Sequence, residues 1–179
     1  MKKVLIISTS LRPNANSEIL ARETERGAKD VGHEVEFVTL KDKVINFCKG
    51  CMACQKLGKC VINDDANEIT LKMKEADVIV WATPVYYYEM SGQMKTLIDR
   101  ANSLYATGKN FTETYVITTS ADSSKGVVQT VLNGVKGWAA CFSGLELKGY
   151  LEAGGLDNPN DAQNRKDLLE KAYNMGKMI

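Results

Sequence analysis

Histidine occurs once in this 179-residue chain, at His33. A Ser–His–Asp triad would have to be built on that one imidazole, which stands in a GHEVE stretch just ahead of a strand pattern, so hydrolytic triad chemistry is disfavoured. Net charge is nearly absent too: 23 Lys and Arg against 22 Asp and Glu leave +1. No overall field therefore favours nucleic acid or an anionic membrane as partner. Long apolar runs are also missing. The opening MKKVLIISTS has two lysines followed by apolar residues, but the run at 4–7 is too short for a signal h-region, and nothing later could span a bilayer. The expected location is the cytoplasm, where thiols stay reduced, so clustered cysteines there point to metal binding or redox chemistry rather than structural disulfides. Internal repeats and low-complexity tracts are absent as well.

What is present is an ordinary globular mixture, 44% hydrophobic and 25% charged, long enough for one domain over 1–179 with a substantial core. Strand and helix patterns alternate. Residues 3–8 (KVLIIS), 34–40 (EVEFVTL), 77–83 (DVIVWAT), 114–119 (TYVITT) and 146–151 (ELKGYL) read as strands, several of them as short apolar runs buried on both faces. Helices are expected over 17–29, 65–75 with Asp64 or Asp65 as N-cap, 90–104, 127–140 and 161–178. This alternation predicts an α/β fold with a parallel sheet. Ligands in such folds sit beyond the carboxyl ends of the strands, so the loops after the first, third and fourth strands are the candidate site.

The first of these loops, STSLRPNANS at 8–17, offers Ser8, Ser10, Arg12, Asn14, Asn16 and Ser17, then enters a helix whose N-terminus attracts anions. It has no glycine, which excludes both the dinucleotide G-x-G-x-x-G turn and the Walker loop. It has no cysteine, which disfavours a cysteine phosphatase. A phosphate would be held by hydroxyls, amides and helix N–H groups; the plain alternative is a polar turn that caps the helix. The second loop, TPVYYYEMSGQMK at 83–95, starts with Pro84, expected to break the strand, followed by Val85 and three tyrosines. Backbone and rings at Pro84, Val85, Tyr86 and Tyr87 could grip a flat heterocycle, or the tyrosines could form a surface patch. The third loop, TTSADSS at 118–124, brings Ser120, Ala121 and Asp122, small and polar.

Taken together and in this order, the loops resemble the flavodoxin-like NAD(P)H-dependent FMN reductase superfamily. The first is similar to its S-x-S-x-R-x-N-x-N-[ST] pattern, departing at Thr9 and Ala15, where many members carry glycine, and at Leu11, where proline is usual. The second is similar to T-P-x-Y-x-x-x-x-[ST]-x-x-[LM]-K. The resemblance implies a doubly wound five-stranded parallel sheet of order 2-1-3-4-5 with helices on both faces and FMN at its carboxyl edge. It implies that Ser10, Arg12, Asn16 and Ser17 hold the phosphate, that Pro84, Val85, Tyr86 and Tyr87 flank the isoalloxazine, and that Ser120, Ala121 and Asp122 lie near its pyrimidine side. It also implies that the chain forms a homodimer or a higher homo-oligomer.

Four of the five cysteines, Cys48, Cys51, Cys54 and Cys60, fall in FCKGCMACQKLGKC within a cysteine-rich loop at 46–63. Zinc sites usually split their ligands into two separated pairs, unlike this C-x2-C-x2-C-x5-C spacing. Bacterial ferredoxins use a shorter last gap followed by proline. The spacing resembles that of the iron–sulfur flavoproteins, a branch of the same superfamily in which four such cysteines hold a 4Fe–4S cluster near FMN. Inert thiols, or another metal, are the alternatives. Cys141, on a helix pattern, is expected to pack inside. The expected activity is transfer of electrons from NAD(P)H, or a ferredoxin-like donor, through FMN to a small-molecule or protein acceptor. The flavin carries the chemistry, with no catalytic side chain. A cluster-free reductase of quinones, nitro or azo compounds or flavin is the nearer alternative. A flavodoxin-type carrier without turnover is the more distant one, disfavoured because such carriers are strongly acidic.

Overall fold

The structure is a computed structural model that describes residues 1–124 and 126–179. Parallel strands β1 (Lys3–Ser8), β2 (Glu34–Thr39), β3 (Val78–Tyr86), β5 (Glu113–Thr119) and β6 (Glu146–Ala153) run in the order β2-β1-β3-β5-β6, and a short β4 (Glu89–Met90) folds back antiparallel on β3. This is the expected five-strand order, renumbered by the small β4. The helices are α1 (Asn16–Asp30), α2 (Ala53–Leu57), α3 (Asp65–Glu75), α4 (Gly92–Arg100), α5 (Ser103–Thr107), α6 (Gln129–Ala140) and α7 (Lys166–Lys177). No helix among the described residues is long and apolar enough to cross a membrane.

Two cores form because the strands are apolar on both faces and alternate residues point to opposite sides. Leu5, Ile7, Ile79, Trp81 and Val116 face one way and pack with residues of α3, α4 and α6 such as Ile69, Met73, Leu97 and Val131. Their neighbours Val4, Ile6, Val80 and Ile117 face the other way, onto Leu20 and Ala28 of α1 and Leu168 and Ala172 of α7.

Three expectations are corrected. Pro84 does not end its strand: β3 continues through Val85 to Tyr86. It is tolerated because β1 pairs no further than Ala82, so the missing N–H falls beyond that ladder. The helix expected over 90–104 is instead three elements. Tyr87 and Tyr88 both adopt positive φ (49° and 65°), the geometry of a two-residue hairpin turn, and close β3 onto β4. Ser91 then caps α4, its Oγ accepting from the Met94 N–H at 3.3 Å, and a turn at 101–102 separates α5. Finally, Cys141 is exposed at the end of α6 rather than packed. Elsewhere the agreement is close: β1 has its expected bounds, and Asp64 caps α3 by accepting from the Ala66 N–H at 3.1 Å.

Candidate functional site

The sheet register brings the loops together. Ser8 pairs with Ala82, Pro84 with Thr119, and Thr119 with Ala153, so the chain leaves β1, β3, β5 and β6 at one edge. A cleft of about 240 Å³ opens there, walled by Ser10, Arg12 and Ser17 at one end and by Pro84, Val85 and Tyr86 at the other. Asn16, Ser120 and Ala121 line it as well.

The polar end is built around the start of α1. Its N-cap is Ala15, which offers no side chain to the first-turn N–H groups. The Ser17 hydroxyl, in that first turn, is 1% exposed and has no hydrogen-bond partner. A buried hydroxyl left unpaired is costly, so a free donor beside uncapped helix N–H groups and a nearby guanidinium is a fit for a bound phosphate. Arg12 is held over the cleft by a 2.9 Å bond from its Nη1 to the Asp157 carbonyl. Thr9, fully buried, stitches this loop to the next: its hydroxyl lies 3.0 Å from the Ala82 carbonyl and 3.0 Å from Ser91 Oγ.

Other expected residues have different places. The amide of Asn16 spans to the segment after β6, with Nδ2 donating to the Asn158 carbonyl (2.9 Å) and Oδ1 accepting from the Ala162 N–H (3.0 Å). It braces the loop and also helps to line the cleft. Ser8 is fully buried, and its unpartnered hydroxyl lies outside the lining. Asn14 is exposed at φ 53°, its carbonyl accepting from the Asn160 N–H. Tyr87 stands wholly exposed at the tip of the hairpin, because the two-residue turn reverses the chain directly after Tyr86. Asp122 is exposed and closes its own turn by accepting from the Ser124 N–H at 2.8 Å.

One wall was not foreseen. Leu156, Asp157 and Pro159 line the cleft from the segment after β6, zipped to the third loop by Ser120 N–H to Ala153 O and Leu156 N–H to Ser120 O. The available signal was topological: in a parallel sheet the fifth main strand ends at the same edge as the others.

The cysteine segment leaves the same edge after β2. A second cleft joins Leu11 of the first loop, Phe47 beside Cys48, and Gly92 at the start of α4. All four thiols are free; Cys48 and Cys51 are exposed, Cys54 and Cys60 half-buried. Donors already address two sulfurs: the Gly50 N–H to Cys48 Sγ at 3.4 Å, and Asn102 Nδ2 to Cys54 Sγ at 3.5 Å. Among the described residues, however, no three Cys, His, Asp or Glu side chains are gathered as a metal site would need. The donor chemistry suits a thiolate-ligated group; the loop would have to close for its sulfurs to meet.

The family model for NADPH-dependent FMN reductase matches residues 2–149. An iron–sulfur flavoprotein of Methanocaldococcus jannaschii is 34% identical, over 99% of this chain and 95% of that protein. Another, of Methanosarcina thermophila, is 38% identical over 61% of this chain and 56% of its own length. Among solved structures, a NAD(P)H:quinone oxidoreductase from Methanothermobacter marburgensis superposes with a TM-score of 0.76 at 16% identity, covering 98% of this chain and 96% of that one. An azoreductase from Bacillus anthracis gives 0.75 at 16% identity, covering both chains fully. At such identities the two structures bear on the fold alone.

Proposed function

The chain belongs to the NADPH-dependent FMN reductase family, as an FMN oxidoreductase of its iron–sulfur flavoprotein branch, and from that premise we propose that it moves electrons from NAD(P)H through FMN in the edge cleft to an acceptor, by way of a 4Fe–4S cluster on Cys48, Cys51, Cys54 and Cys60. Bound FMN would supply acceptance of hydride and its release as single electrons, and the cluster a one-electron relay. The protein's part is to bind and orient. Arg12, the Ser17 hydroxyl, Ser10 and the first N–H groups of α1 would hold the phosphate. Pro84, Val85, Tyr86, Ser120 and Ala121 would hold the ring system. The unpartnered Ser17 hydroxyl carries the phosphate assignment. The cluster assignment rests on the free, N–H-addressed thiols and on relatives named iron–sulfur flavoproteins.

Exposed apolar side chains stand on the cysteine segment and on the hairpin after β3: Phe47 is 80% exposed, Met52 52% and Tyr88 60%. Such exposed apolar surface supports a homodimer. A cluster-free, two-electron reductase is the second reading, favoured by the ungathered placement of the thiols.

Anaerobic purification, reconstitution with iron and sulfide, and analysis of iron and flavin test the proposal. The expected content is about one FMN and about four irons per chain, with Cys51→Ser losing the iron and keeping the flavin. Flavin without iron leaves only the second reading; no flavin after incubation with FMN overturns both. Ser17→Ala tests the phosphate end by opposite signs. Without FMN it removes an unpaired buried hydroxyl and should raise stability by about 1 kcal/mol, whereas FMN binding should weaken about tenfold, measured by thermal unfolding and fluorescence titration.

A further inference from the structure

Arg100, the last residue of α4, has its side chain wholly buried against Asp64, itself 3% exposed. Its Nη1 donates to the Asn46 carbonyl (2.7 Å) and Asp64 Oδ2 (2.6 Å). Its Nη2 donates to the Ile62 carbonyl (3.0 Å) and Asp64 Oδ1 (2.8 Å). Asp64 in turn accepts from the backbone and side-chain N–H groups of Asn46, at 2.9 and 3.0 Å. Asn46 and Ile62 stand just outside the two ends of FCKGCMACQKLGKC. One guanidinium and one carboxylate thus tie both stems of the cysteine segment into a closed loop.

The fifth guanidinium donor, Nε, is buried with no partner. Ile62, whose carbonyl Nη2 holds, stands two residues beyond Cys60. Arginine presents its donors in a rigid planar fork that lysine cannot copy, so four fixed bonds at one end leave the fifth donor in a fixed direction.

We propose that Arg100 is the positioning residue of the cysteine segment: it locks the two stems together and so sets where Cys60 meets the other three thiols. The stem lock stands on the hydrogen bonds above; its purpose rests on the cluster reading.

The test uses the FMN-loaded chain and two variants. Arg100→Met combined with Asp64→Asn removes both charges together, leaves no buried ion unpaired, and keeps a capping oxygen for α3. Arg100→Lys keeps the charge but loses the fork. In both, hydrogen exchange at 46–62 should quicken about tenfold while the strands exchange as before and FMN stays bound. After anaerobic reconstitution, both should lose iron to a chelator about tenfold faster than wild type, because the stems that place Cys60 are no longer held. Unchanged exchange at 46–62 overturns the lock. Iron held as firmly as in wild type overturns the role of the lock, as does rescue by lysine. If wild type itself takes FMN but no iron, the cluster reading and the role assigned to Cys60 fall together, while the exchange result still decides the lock.

Discussion

Gly176→Ala is expected to cost more than about 3 kcal/mol of stability, or to prevent folding, although alanine normally favours a helix by about 1 kcal/mol. A Cβ at Gly176 would lie 2.1 Å from the Thr24 carbonyl oxygen and 2.8 Å from the Ala28 nitrogen. These are main-chain atoms of α1, which cannot swing aside as a side chain can. The opposing helix repeats the arrangement: a Cβ at Gly27 would lie 2.0 Å from the Tyr173 carbonyl oxygen of α7. The two helices therefore meet backbone to backbone, and Thr24 Oγ1 bridges to the Ala172 carbonyl at 3.0 Å between them. Gly137→Ala, on the exposed face of α6 with nothing within 4 Å of its Cβ position, is the control. It should instead stabilise by about 0.5–1 kcal/mol. Urea unfolding of the three proteins, followed by circular dichroism, gives both signs. Because α1 begins at the polar end of the cleft, a Gly176→Ala chain that folds should also bind FMN more weakly.

That packing shows where the sequence stops being readable. Strand identity was legible because apolar alternation is a local signal, as in residues 3–8, and so was the Asp64 cap, a short-range hydrogen bond. The loop after β1 was legible as a cleft wall by its short polar side chains. The meeting of Gly27 with Gly176 was not, because two ordinary helical glycines 149 positions apart say nothing about their encounter. The same holds for Asn16. Its residue type read as a phosphate ligand, yet its amide is taken by Asn158 and Ala162, from a segment whose place at the cleft depends on how β6 joins the sheet. The split of 90–104 was hidden because its apolar spacing is helical, and only the paired positive φ values at Tyr87 and Tyr88 reveal that the chain first turns back on β3.

The Arg100–Asp64 pair was equally invisible, its members 36 positions apart. It sets the other large effect. Arg100→Met alone, with Asp64 left in place, should cost about 3–5 kcal/mol at pH 7, because it strands a buried carboxylate. The pH dependence identifies the cause. In the native chain burial alone would raise the Asp64 pKa, but the hydrogen bonds from Arg100, then Asn46 and Ala66, outweigh it and bring it to about 2. A folded-state value depressed below the unfolded one gives stability that is present above the unfolded pKa and lost as pH falls through the folded one. The native chain should thus lose about 1 kcal/mol from this group by pH 3 and about 2 kcal/mol by pH 2. In Arg100→Met that coupling is gone, and protonation relieves the stranded carboxylate rather than breaking a pair. The gap between variant and native chain should therefore narrow as pH falls from 5 to 3, measured by urea unfolding at each pH. A gap that stayed constant across that range would mean the loss comes from packing of the arginine stem and not from the charge it neutralises.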